Sequence, residues 1–158
     1  MTDQTQPIYK AERIWRGSTP SAGRSISPQA AYDLTGEIIH HPNANSIEGI
    51  QNVREAFTPE KFKLHTPGTE FELPQGLHAA TTSEGHIIVR PERLTPGIIT
   101  HEASHLVTRL SSQFDEHLPQ HDAAFARQHV ETAHAVLGRP AGRRLALAYD
   151  QHGVELGR

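Results

Sequence analysis

The segment His101-Glu102-Ala103-Ser104-His105 carries the pattern HExxH. On a helix, histidines at i and i+4 share one face and aim two imidazoles at a single point, which suits a Zn2+ ion. Glu102, one residue beyond the first histidine, can then reach a water beside the metal without ligating it, the position a general base needs. The chain is rich in histidine, with 12 in 158 residues. Chance alone therefore gives roughly 0.07 occurrences of the pattern at this composition. Two further features raise the motif above chance. It lies on the segment with the clearest helix signals, and on a helical wheel its histidines, about 40° apart, fall opposite the apolar stripe, so they are expected to face a cleft rather than the core.

A zinc site needs a third protein ligand, and without cysteine it must come from His, Asp or Glu. Downstream candidates are Asp115, Glu116, His117, His121, Asp122, His129, Glu131 and His134. Spacing alone does not choose among them. A chain reversal after Ser112 would swing the first turn of the next helix over the His101/His105 face, which favours His121, with His117 second.

The elements that must position these residues are legible in part. Thr95-Pro96 supplies an N-cap and an N1 proline, and Ile99, Ala103, Leu106, Val107 and Leu110 form the apolar stripe of a core-facing helix over 95–112. A loop over 113–120 follows. A second helix is expected over 121–138, with Ala126, Val130, Ala133 and Leu137 on one face and a Gly138-then-Pro140 stop. A C-terminal helix over 141–149 places Leu145, Ala148 and Tyr149 inward. Upstream, Ile8, Ala11 and Trp15 mark a first helix over 7–16, and residues 17–23 read as a linker. Ser27-Pro28 opens a helix that His41-Pro42 stops. Residues 43–75 show only short alternations, Lys61 to Leu64 and Phe71 to Leu73, which suggest strands or extended loops. Ala79 to Thr82 and His86 to Arg90 read as a hairpin about Ser83-Glu84-Gly85.

Composition narrows the function classes. A net charge of -3 offers no evident basic surface for nucleic acid, so none is expected as a partner. The absence of cysteine excludes a disulfide framework or a zinc ribbon. No stretch approaches the apolar length of a membrane span, and the N-terminal MTDQTQPIYK lacks a signal-peptide apolar region, so no membrane partner and a cytoplasmic location are expected.

HEASH followed after fifteen residues by His121-Asp122-Ala123-Ala124-Phe125 resembles the HExxH…HGxxF pattern of SprT-like and WLM-type minimal zincin metalloproteases. The chain is also similar to a group of small HExxH metallohydrolases of actinobacteria and their phages. The shared features are Ile8-Tyr9-Lys10-Ala11-Glu12, the strand end Ile87-Ile88-Val89-Arg90-Pro91, Val136-Leu137-Gly138, Tyr149 and Gly153-Val154. Asp122 stands where the pattern has glycine.

The resemblance implies a single α+β domain over 1–158. Its small twisted β-sheet would pack on the HExxH helix with further N- and C-terminal helices, and residues 77–156 would be its metal-binding core. It implies Zn2+ held by His101, His105 and His121, with Glu102 as general base in peptide-bond hydrolysis of a peptide or protein substrate. It implies also that strand 86–90 is an exposed edge able to align that substrate. His117, Asp122 and Tyr149 are candidates for supporting the ligands or a reaction oxyanion. Two other readings are a non-catalytic regulatory or phage accessory binding protein with a structural metal, and a hydrolase of non-peptide amides or esters.

Overall fold

The computed structural model describes residues 3–110 and 121–157, without the side chains of residues 109 and 110. The expected loop 113–120, with Asp115, Glu116 and His117, and the inward placement of Leu110 lie outside the described residues.

The HExxH segment lies in helix α5 (Pro96–Leu110), started as its sequence predicts: the Thr95 hydroxyl accepts from the Ile98 amide at 3.3 Å. Helix α5 is buried continuously from Pro96 to Val107. Ile99, Ala103, Leu106 and Val107 form its apolar side, each at most 1% exposed. Its opposite side is equally covered, because helices pack on both flanks. Every polar side chain on that side must therefore find a partner, since burying it unpaired would cost roughly 1–3 kcal/mol each.

On one flank, α1 (Thr5–Ser18), the single-turn α2 (Pro20–Gly23), α6 (Ala123–Leu137) and α7 (Arg139–Gln151) form a core around Trp15, Phe125, Leu145 and Tyr149. Ile8, Ala11 and Trp15 are buried as their spacing predicts. The 17–23 linker instead contains α2, whose Gly23 approaches the Arg16 carbonyl so closely that a Cβ there would lie 2.1 Å from the oxygen. On the other flank, α3 (Pro28–Ile39) and α4 (Ile50–Ala56) pack on α5 through Ile38, Ile39, Ile50 and Val53. Ser27 caps α3 by accepting from the Ala30 amide. Helix α4 has no counterpart in the sequence reading, which took that region as extended.

The sheet has three short strands, β1 (Phe62–Leu64), β2 (Ala79–Thr81) and β3 (Ile87–Val89), in the order β1-β3-β2. Strand β3 pairs parallel with β1, Phe62 opposite Ile87, and antiparallel with β2, Thr81 opposite Ile87. The expectation that residues 86–90 form an exposed edge is therefore corrected: β3 is central, and all three of its residues are buried. A run of Ile87-Ile88-Val89 without alternation is what a strand covered on both faces shows. The edge nearest α5 is β2, and residues 71–73, expected as a strand or an extended loop, form no strand, with Phe71 in a turn. Overall the chain is α+β. Among the described residues no helix is long and apolar enough to cross a membrane.

Candidate metal centre

His101 and His105 project from α5 as the i, i+4 spacing requires. His121 comes from the residue just before the N-cap of α6, not from inside that helix. Asp122 is the cap, and its carboxylate accepts the Phe125 amide at 2.9 Å. The Nε2 atoms of His101 and His105 each lie 3.2 Å from Nε2 of His121. The expected open cleft is absent at the rings themselves: the three histidines are 4–5% exposed. Phe125 lies against all three, stacked on His105 with centroids 4.3 Å apart, and Tyr9 of α1 sits edge-on to His121.

The hydrogen bonds around the cluster fix where its protons lie. Nδ1 of His101 donates to Glu12 Oε1 at 2.7 Å, which leaves Nε2 of a neutral ring with its lone pair. Thr5 gives its hydroxyl proton to Asp3 at 2.6 Å, so its oxygen accepts from Nδ1 of His121 at 3.0 Å, and Nε2 of His121 is likewise bare. With both rings neutral, two lone pairs face each other 3.2 Å apart, an arrangement that a shared proton or a metal cation relieves. Nitrogens bound to one tetrahedral zinc at ~2.0–2.1 Å sit about 3.4 Å from each other, so the donor set and its spacing fit that ion.

Glu12 is the residue that organises the interior. Burial pushes its carboxyl up, but His101 and His129 hold it well below the ordinary carboxylate range. The same partnership runs the other way at His101, where burial lowers the pKa and the Glu12 charge raises it above its usual value. The second oxygen of Glu12 accepts the Tyr149 hydroxyl at 2.7 Å. Since the Tyr149 proton goes to Glu12, His129 Nδ1, 2.8 Å from the Tyr149 oxygen, must donate. Burial lowers the His129 pKa against the opposing pull of Glu12, and its Nε2 lies 2.8 Å from the hydroxyl of Thr100, which itself donates to the Gly97 carbonyl at 3.0 Å. Glu12, His101 and His129 thus form a second tight group of metal-ligating side chains, but their polar atoms are already committed to one another. Tyr149, fully buried and held by burial and Glu12 well above its usual pKa, donates to Glu12.

Glu102 lies with Oε2 3.8 Å from His101 Nε2, while its Oε1 accepts the Thr81 hydroxyl of strand β2 at 2.9 Å. His101, Glu102, Tyr9 and Ala79 line a cavity of about 160 Å3. Tyr9 is raised to about 12 by burial and by the charges of Glu102, Glu12 and Asp3.

Of the other candidates, Glu131 and His134 lie exposed on α6 away from the cluster. The sequence reading assigned no site role to Glu12, Tyr9 or Thr81. Glu12 did leave a signal, since Ile8, Ala11, Glu12 and Trp15 share one helical face and a carboxylate on a buried stripe demands a partner. Comparison with family models, curated proteins and solved structures finds no match to this chain.

Proposed function

We propose that the protein is a zinc-dependent hydrolase of minimal zincin type, acting on peptide bonds. The observation that carries this reading is the convergence of three Nε2 atoms, those of His101 and His105 each 3.2 Å from that of His121, beside an HExxH glutamate that lines a cavity. Among the described residues three imidazoles would hold the ion, the number of protein ligands that a catalytic zinc site has. Bound zinc would polarise the substrate carbonyl and make a water acidic enough to attack near neutral pH.

The chain's own residues supply the rest. Glu102 takes the proton of the attacking water and returns it to the leaving amine. Thr81 fixes the Glu102 carboxylate by donating to Oε1. Glu12 orients His101 and keeps its proton on Nδ1. Strand β2, not β3, borders the cavity through Ala79 and is the strand along which an extended peptide would align.

The test is the metal content of protein purified without added metal. Wild type is expected to carry one zinc per chain. His101→Ala, His105→Ala and His121→Ala lose it, while His40→Ala, an exposed histidine, keeps it. Glu102→Gln retains the zinc and hydrolyses no peptide. Absence of zinc from wild type, or turnover by Glu102→Gln, overturns the reading.

A further inference from the structure

The cavity beside the histidine cluster carries charges of both signs. Glu12, Glu102 and His101 line it, and so do Arg13, Arg16 and His78. The two carboxylates are already engaged, by His101 and Tyr149 in one case and by Thr81 in the other.

Arg16 is not engaged in the same way. Its side chain is only 19% exposed, and its nearest acidic atom is Glu12 Oε1, at 3.9 Å, beyond hydrogen-bond length. Among the described residues its guanidinium makes no hydrogen bond, although it carries five donors. The side chain is nevertheless held. Its stem crosses Gly97 at the start of α5, where a Cβ would meet Arg16 Cγ at 2.7 Å and Cδ at 2.9 Å. A largely buried cation that lines a cavity, with its stem fixed by packing, is arranged for an anion. His78 reports the same field, since burial and the charges of Arg93, Arg16 and Arg90 pull its pKa below the usual value. Arg90 is spent on the carbonyls of Leu73, Pro74 and Leu77, where it fastens the loop that forms this wall.

We propose that this cavity is a carboxylate-binding subsite, in which Arg16, helped by Arg13 and His78, receives a carboxylate of a peptide whose scissile bond lies over His101, His105 and His121. The inference rests on the peptidase reading above and gives it a substrate class: peptides bearing an acidic side chain or a free C-terminus next to the bond cleaved. Ala79 on edge strand β2 lines the same cavity, so a peptide aligned there would carry its carboxylate to the arginines.

The test is calorimetric titration of the Glu102→Gln protein, zinc-loaded and chelator-treated, with three peptides. These are acetyl-Ala-Ala-Glu-Ala-amide, its Gln counterpart, and acetyl-Ala-Ala-Ala with a free carboxylate. At least one acid is expected to bind about tenfold more tightly than the Gln peptide, as for a charge-assisted pair, and which acid does so separates side-chain from terminal recognition. Arg16→Met should bring the acid-to-amide ratio towards one. Arg13→Ala, at an exposed position that leaves the core intact, should lower it about threefold. Equal affinities for acid and amide, no binding of either acid, or a ratio untouched by both substitutions overturns the proposal. Cleavage is read separately, with Glu102 restored. Acid-selective binding without hydrolysis of any peptide defeats the peptidase reading and leaves the subsite standing, while hydrolysis without acid preference does the reverse.

Discussion

Glu12 Oε1 lies 2.7 Å from His101 Nδ1 across 89 positions of sequence, and Tyr149 occupies the carboxylate's other oxygen at the same distance. A single side chain of α1 therefore joins the HExxH helix to the C-terminal helix and decides which nitrogen of His101 is bare. The site and the core share this one polar junction.

Glu12→Gln tests that junction. A carboxamide keeps one acceptor and presents an NH2 to a partner that is itself a donor, so either His101 or Tyr149 loses its bond. Zinc affinity is expected to fall about 10–100-fold, as for other residues that orient a ligand imidazole. Stability should fall by about 3 kcal/mol, because buried partners are left uncompensated. Tyr149→Phe removes only one neutral donor and should cost about 1–2 kcal/mol with a smaller change in affinity. Competition against a zinc chelator and denaturant unfolding measure both quantities, and an unchanged zinc affinity in Glu12→Gln would refute the orienting role.

The same pair predicts how stability depends on pH. Glu12 is depressed below its ordinary 4.5, so its contribution is present above that value and is lost as pH falls through the folded-state pKa. His101 is raised above its ordinary 6.5, so its contribution is complete below 6.5 and is lost as pH rises through the higher folded-state value. Chelator-treated protein should thus be most stable between these limits and weaken above pH 6.5. Zinc requires neutral imidazoles, so the stability it adds should grow over the same rise. Urea unfolding from pH 4 to 9 with and without chelator is expected to give opposite slopes above 6.5. Parallel slopes would mean that His101 is not the group through which metal and fold are linked.

The difference between what the sequence shows and what it hides follows from range. Helix α5 was legible because its cap, its N1 proline and its apolar stripe are all local, and the i, i+4 histidines depend on nothing beyond one turn. The mistaken cleft followed from the same locality. A wheel shows that His101 and His105 oppose the stripe, but not that α1 and α6 cover that side too. The edge expected at β3 came from the resemblance, and although Lys61 to Leu64 alternates, nothing local pairs β1 with a strand about twenty-five residues downstream. Glu12 carried a local flag, a charge among Ile8, Ala11 and Trp15. Its partner His101 could not be read from the spacing of α1.

Thr81 offers a test of the proposed chemistry away from the metal. Its hydroxyl donates to Glu102 Oε1 at 2.9 Å and to the Glu102 carbonyl at 3.0 Å, and the side chain is buried. Thr81→Val keeps the shape and removes the donor. The expected result is full zinc content, a loss of about 1–2 kcal/mol of stability, and a kcat about tenfold lower. The acid limb of the pH-rate profile should move up, because the carboxylate loses a bond that favours its charged form. A lower kcat with an unmoved acid limb would show that Thr81 serves only packing.

The last prediction concerns how α1 is brought to the site. Gly23 closes α2 against α1, and a Cβ there would sit 2.1 Å from the Arg16 carbonyl oxygen and 3.0 Å from its carbon. Both atoms are backbone, so no rotamer change relieves the clash and the two helices must part. Gly23→Ala should cost about 2–3 kcal/mol, enough to lower Tm by roughly 5–10 °C in a chain of this length. Gly17 is the control on the same stretch, with nothing within 4 Å of a Cβ. At this helical position alanine should be neutral or stabilising by up to about 1 kcal/mol. Because α1 carries Glu12 and Arg16, the displacement in Gly23→Ala should also weaken zinc binding, whereas Gly17→Ala should not. If Gly23→Ala lowers Tm and leaves zinc affinity intact, α1 stabilises the fold without orienting His101, and the role assigned to Glu12 falls with it.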